Sequence, residues 1–207
     1  YGIGDVHDSN EKLYATLDSV EGHARSIRAA VDKASPGRRV PIFLDEYNVK
    51  WVWHPIEPRH ANSVGAVWQA GAVRRALLAG IDGATVWHVK GNAYGIIDGE
   101  NKPRPTAAMF EWGPKWMVGN MIKATVDDKN AIELLPIETL GGGRSLLVIC
   151  KANHSVRLPP AGQLLGDTPT NVMRVDADGV NASLVVDSAT PLIVPGYSLT
   201  LLTNSTK

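Results

Sequence analysis

The spacing of apolar positions changes along this chain. After a loop-like start, "YGIGDVHDSNEK", Leu13, Leu17 and Val20 recur at intervals of three and four, and Ala24, Ile27 and Val31 continue the series. That spacing predicts a helix with one apolar stripe. The Pro-Gly of "KASPGRR" ends it. A short apolar run follows, "VPIFLDE", which reads as a buried strand finishing in Asp45 and Glu46. "WVWHPIEPRH" is a Pro-rich loop of the kind that carries function. A second helix is predicted over 61–79, with Val64, Val67, Trp68, Gly71, Ala72 and Leu78 on one side and Gly80 as its C-cap. "IDGATVWHV" is a second strand, and a third helix is predicted over 106–117.

Residues 24–117 thus alternate helix and strand, which implies parallel strands covered by helices. From Met121 onward the pattern becomes short apolar or alternating runs, "AIELLPIE", "SLLVIC", "VRLPP", "NVMRVDADG", "ASLVVDS" and "PLIVPGYSLTLLT", separated by Gly, Pro, Asn and Asp. That is the signature of an antiparallel sheet or sandwich. "GGGR" at Gly141 to Arg144 reads as a hairpin turn. The expected fold class is α/β plus all-β, divided into residues 1–120 and 121–207.

Composition adds limits. The chain has 207 residues, 44% hydrophobic and 20% charged, an ordinary globular balance. Lys plus Arg and Asp plus Glu are 21 each, so a formal net charge of zero gives no electrostatic case for nucleic acid or an anionic membrane surface. No apolar run approaches the ~18 residues of a membrane helix. The lone Cys150 excludes an internal disulfide and reads as a buried, inert thiol. No signal peptide is visible, and the start at Tyr1 rather than Met is the mark expected of a processed or cut product. The sequons at Asn153, Asn181 and Asn204 are weak pointers to secretion, so localisation stays open, as does homo-oligomerisation. Six Trp against two Phe is a biased choice that suits either ordinary core packing or flat surfaces for sugar rings.

Two strands end in polar groups: the first in Asp45, Glu46 and Asn48, the second in Trp87, His88 and Lys90. In parallel α/β folds functional groups gather at the carboxyl ends of strands, so carboxylate, imidazole, ammonium and indole would meet at one rim. A glycosidase needs such a set: a carboxylate for an oxocarbenium-like centre, donors for hydroxyls and an aromatic platform. The plainer alternative is that strands end in polar residues because loops are wet. The six His form no short paired motif with acids, so no metal or cofactor is expected. There is no G-x-S-x-G and no phosphate loop.

With both strand ends in view, the chain resembles retaining glycoside hydrolases of clan A, most closely family 39, which includes β-xylosidases and α-L-iduronidases. "IFLDEYN" is similar to the seventh strand of their (β/α)8 TIM barrel with its nucleophilic glutamate. "ANSVGAVWQAGAVRRALLAGIDGATVWHV" is similar to the seventh helix and eighth strand, and "YGIIDGENKPRPTAAMFEW" to the following loop and helix. "VPGYSLTLLT" resembles the last strand of the accessory β-sandwich, and "DEYN" also resembles the arabinofuranosidases of family 51. The resemblance implies the C-terminal part of a TIM barrel over 1–120, from the end of strand six to helix eight, followed by a β-sandwich over 121–207. It makes Glu46 the catalytic nucleophile and places Trp87 and His88 at the sugar subsite, with Tyr1 and Gly2 the tail of the sixth strand. Asn48, Trp51, Trp53, Lys90, Asn92 and Tyr94 are positional candidates for sugar contacts, and His7 is better read as a solvated loop residue.

The sequence departs from this pattern in one respect. A retaining enzyme needs a second carboxyl about 5 Å from the nucleophile. In this clan it belongs to an Asn-Glu motif at the fourth strand, and Asn10-Glu11 opens a helix instead. The chain is therefore expected to be part of a longer enzyme, its acid/base Glu and about five or six further strands coming from another segment or chain. The alternative is a carbohydrate-binding or structural fragment without catalysis.

Overall fold

The computed structural model describes residues 1–166 and 168–205; Thr206 of the third sequon, and the side chains of the second, lie outside the described residues. Two compact units are present, residues 1–60 with 68–103, and residues 61–67 with 104–207.

In the first unit, helix α1 spans Asn10–Ala34. The Ser9 side chain accepts from the Lys12 N–H at 3.2 Å and satisfies one of the four donors that a helix start leaves open. Leu13 and Leu17 are fully buried, but the stripe fades toward the C-terminus, where Ile27 is 51% exposed. Strand β1, Phe43–Tyr47, pairs in parallel with strand β2, Gly83–Val86. The N-terminal segment joins them: Gly2 and Ile3 N–H groups donate to the carbonyls of Asn48 and Val49 at 3.1 and 2.8 Å, and Ile3 bridges Lys50 in parallel. Between β1 and β2 runs helix α2, Ser63–Leu78, whose beginning falls in the second unit. Its Trp68 is fully buried and donates from Nε1 to Thr16 Oγ1 at 2.9 Å. Gly71 faces Leu17, where a Cβ would stand 2.8 Å from Leu17 Cδ1, so the small residue lets the helices close. Gly80, with φ 87°, stands in the left-handed conformation that ends a helix.

Where the pattern predicts a buried strand, β1 is partly open. Phe43 is 62% exposed and Leu44 half-buried, and full burial begins only at Tyr47. Ile27, Ile42, Phe43, Leu44 and Ile81 line a groove of about 300 Å³. Parallel sheets normally carry helices on both faces, and no described element of this unit covers Phe43.

The second unit holds helix α3, Ala107–Trp116, then strands β3 to β10: Gly119–Met121, Ile132–Thr139, Arg144–Cys150, Val156–Pro160, Thr170–Asp176, Gly179–Val186, Pro191–Val194 and Ser198–Thr203. A short helix α4, Ala161–Leu165, lies between β6 and β7. Six strands form one antiparallel sheet in the order β3-β4-β5-β10-β7-β8, and β6 pairs antiparallel with β9. The last strand sits mid-sheet and is buried along its whole length. Leu146, Val148, Cys150, Val172 and Leu202 share a core with Leu192 and Val194 of β9. Cys150 is fully buried, and burial raises its thiol pKa. Gly142 and Gly143, both at positive φ, make the predicted β4–β5 turn. Asn204 Nδ2 donates to Leu165 O and Thr168 Oγ1, both at 2.8 Å, so its amide is engaged by the protein itself.

Candidate active site

The site grows from the carboxyl ends of β1 and β2. Leu44 pairs with Ala84 and Tyr47 with Val86, so β1 holds one more residue than β2 across that interval. Asp45 and Glu46 occupy this bulge, both exposed, and the Thr85 hydroxyl donates to the Asp45 carbonyl. A bulge breaks the strict alternation of side chains and re-aims them, a device common beside active sites. Tyr1 is 39% exposed and lines the same groove as Leu44 and Tyr47, the residues that flank the bulge.

Immediately beyond the bulge the strand ends are tied together. Trp87 N–H donates to the Tyr47 carbonyl at 3.1 Å. Asn48 is fully buried. Its Nδ2 donates to the carbonyls of Trp87 and, at 3.2 Å, Tyr94. Its Oδ1 accepts from Val49 N at 2.8 Å and Gln69 Nε2 at 3.1 Å. An amide has two donor hydrogens and an oxygen with two acceptor positions, so Asn48 is satisfied by protein alone. Its place is that of a brace holding the two strand ends and the following loop.

The aromatic residues form a chain of contacts. Trp87 and His88, joined by a cis peptide bond, stand with ring centroids 5.6 Å apart. His88 lies 6.5 Å from the buried Tyr94, and its Nε2 would be 2.4 Å from any Cβ at Gly91. Glycine at position 91 therefore gives the imidazole its room. Tyr94 also takes Trp53 edge-on at 4.9 Å and His60 at 4.8 Å. Burial raises the Tyr94 phenol pKa and pushes that of Tyr47 far up. Trp51 rests against Gly4, where a Cβ would meet its ring at 3.0 Å. The tryptophan bias resolves by position: Trp68 and Trp112 are core, whereas Trp51, Trp53 and Trp87 are 62%, 54% and 41% exposed.

Tyr1, Glu46, Asn48, Trp53, Trp87, His88 and Tyr94 are thus brought into one contiguous region of the first unit. Lys90 and Asn92 are exposed and held within the loop that follows β2: Lys90 Nζ donates to Asn101 Oδ1 at 2.7 Å, and Asn92 Oδ1 accepts from Gly99 N at 3.1 Å. His7 is exposed in its loop. Sequence reasoning passed over Gln69, Glu57 and Arg59. Gln69 carried a signal, as an amide within an otherwise apolar helix stretch. Among the described residues no group of three or more His, Cys, Asp or Glu is arranged to hold a metal ion.

No protein-family model matches the chain, and no curated protein sequence is similar to it. Solved structures are similar in fold. The α-L-arabinofuranosidase of family 51 from Thermotoga petrophila RKU-1 matches with TM-score 0.71 at 14% identity, over 95% of this chain and 50% of its own. A monomeric β-xylosidase from Caulobacter crescentus CB15 matches with TM-score 0.63 at 12% identity, over 90% and 50%. CelM2, a bifunctional glucanase-xylanase from a metagenome library, matches with TM-score 0.61 at 18% identity, over 89% and 34%. This chain spans a third to a half of those chains. Its mixed fold, a parallel α/β unit and an antiparallel sheet unit, is the fold of part of these glycoside hydrolase structures.

Proposed function

We propose that this chain carries the nucleophile side of a retaining clan A glycosidase: the C-terminal part of a (β/α)8 barrel over 1–120 and an accessory β-sandwich over 121–207. The observation that carries the reading is the bulge that presents Glu46 at the carboxyl end of a parallel strand, beside the strand that delivers Trp87 and His88. Glu46 attacks the anomeric carbon while the leaving oxygen takes a proton from a second carboxyl. The covalent glycosyl-enzyme is then hydrolysed by water that the same second group deprotonates. Trp87 and His88 line the sugar subsite, and Tyr1, Trp51, Trp53, Lys90, Asn92 and Tyr94 are the surrounding contacts. Asn48 braces the strand ends.

The second carboxyl is supplied by a segment or chain beyond these residues. Glu11 stands in the first turn of α1, a helix start rather than a strand end. The groove at Phe43 supports the same view, because its apolar wall is a surface that further β/α units would cover. We take a pentoside as the substrate, a reading supported by the α-L-arabinofuranosidase and β-xylosidase among the structural neighbours, and family 39 as the nearest resemblance of the motifs, with "DEYN" shared by family 51. The test is turnover of aryl β-xylosides and aryl α-L-arabinofuranosides by the assembled protein. Glu46→Gln should lower it by roughly three orders of magnitude or more with the fold intact. Undiminished turnover in that variant overturns the nucleophile assignment.

A further inference from the structure

The loop from Trp51 to His60 carries two tryptophans more than half exposed, yet it is fastened at several points. Lys50 is fully buried, and its Nζ donates to the Pro55 carbonyl at 2.5 Å. Trp53 and His60 both pack on Tyr94. The strongest fastening is the pair Glu57 and Arg59, 2% and 7% exposed. Arg59 reaches Glu57 through Nε at 2.7 Å and Nη2 at 2.9 Å, and its own backbone N–H donates to Glu57 Oε1 at 3.0 Å. The rest of the guanidinium crosses to the N-terminal loop: Nη1 to Asp8 O at 2.7 Å and Asn10 Oδ1 at 3.4 Å, Nη2 to Val6 O at 3.2 Å. All five N–H donors of the guanidinium have acceptors.

A buried ion pair is an inefficient way to stabilise a fold, since an apolar replacement often does as well. Its particular capacity is geometric, because a planar fork fixes direction as well as distance. Here the fork fixes the tryptophan-bearing loop to segment 6–10. We propose that Glu57 and Arg59 are a positioning pair that holds Trp51 and Trp53 in place as a preset aromatic wall for a sugar ring. The ligand class rests on the glycosidase reading; the fastening does not. Preorganisation of this kind acts on affinity, since the loop needs no ordering when the sugar arrives.

The test is calorimetric titration of the assembled protein with xylotetraose and arabinotetraose, with Glu46→Gln present throughout so that the sugar is bound without being cleaved. Arg59→Ala should weaken binding of the preferred sugar about tenfold, and Arg59→Lys, which keeps the charge but loses the fork, by an intermediate factor. In a Trp51→Ala/Trp53→Ala background, adding Arg59→Ala should change affinity by less than about twofold, because Arg59 would act only through the wall. If Arg59→Ala does not fold, Arg59→Lys carries the same comparison. An equal loss in both backgrounds, an unchanged affinity on adding Arg59→Ala alone, or no binding of either sugar by the protein with Arg59, Trp51 and Trp53 all intact would overturn the proposal. Trapping of a fluorosugar on Glu46 is independent of this comparison. Trapping with a failed comparison removes only the positioning role; the reverse removes the nucleophile and leaves a sugar-binding wall.

Discussion

Two polar residues near the strand ends do different work from what their residue types suggest. Asn48 was a candidate sugar contact because it follows Glu46 by two positions, but its four hydrogen bonds all close on protein. Asn48→Ala should cost about 2–4 kcal/mol, since it strands buried partners at Trp87, Tyr94, Val49 and Gln69, and chemical denaturation would measure this. Glu57 responds to pH. Burial pushes its carboxyl up, but hydrogen bonds from the Arg59 side chain and backbone and the Arg59 charge outweigh it and leave the pKa below the ordinary value. A depressed folded pKa means stability that is present above the unfolded value, about 4.3, and lost as pH falls through the folded one. The thermal midpoint of the wild type should therefore exceed that of Glu57→Gln at pH 7, with the gap narrowing in the acid range. A gap constant with pH would contradict the linkage. The position of Glu46 near the carboxyl end of β1 was legible because the apolar run stops at Asp45 and Glu46. Asn48's role was not, because satisfying a buried amide depends on residues 21 to 46 positions away.

At the scale of elements, local periodicity located all three long helices and most strands. It missed the bulge, because one added residue in β1 is defined only by its register with β2. It missed β3 as well, where Gly119–Met121 carries no strand-like pattern and pairs only because β4 lies beside it. Two glycines show the difference between local and tertiary control. A Cβ at Gly22, inside α1, meets nothing within 4 Å, so Gly22→Ala should stabilise the chain by about 0.5–1 kcal/mol through helix propensity. A Cβ at Gly119 would stand 2.0 Å from the Glu138 carbonyl oxygen, so Gly119→Ala should lower the thermal midpoint by forcing β3 off β4. Equal behaviour of the two variants would contradict this placement of β3.

For the whole molecule, the switch from helix-strand alternation to short antiparallel runs was legible, because it rests on periods of 3.6 and 2 that burial imposes. The position of the final strand between β5 and β7 was not, since strand order is set by contacts that no local pattern encodes. The openness of β1 was hidden for the same reason: its apolar run predicts burial, and Phe43 is 62% exposed. The central claim is that Glu46 forms a covalent bond to a sugar. The direct test is mass spectrometry of the assembled protein after incubation with 2-deoxy-2-fluoro-xylosyl and 2-deoxy-2-fluoro-arabinofuranosyl fluorides. Their leaving group needs little help from a general acid, and the fluorine slows hydrolysis of the intermediate. The account predicts one fluorosugar adduct, on Glu46 and absent in Glu46→Gln; no adduct, or an adduct on another residue, would contradict it.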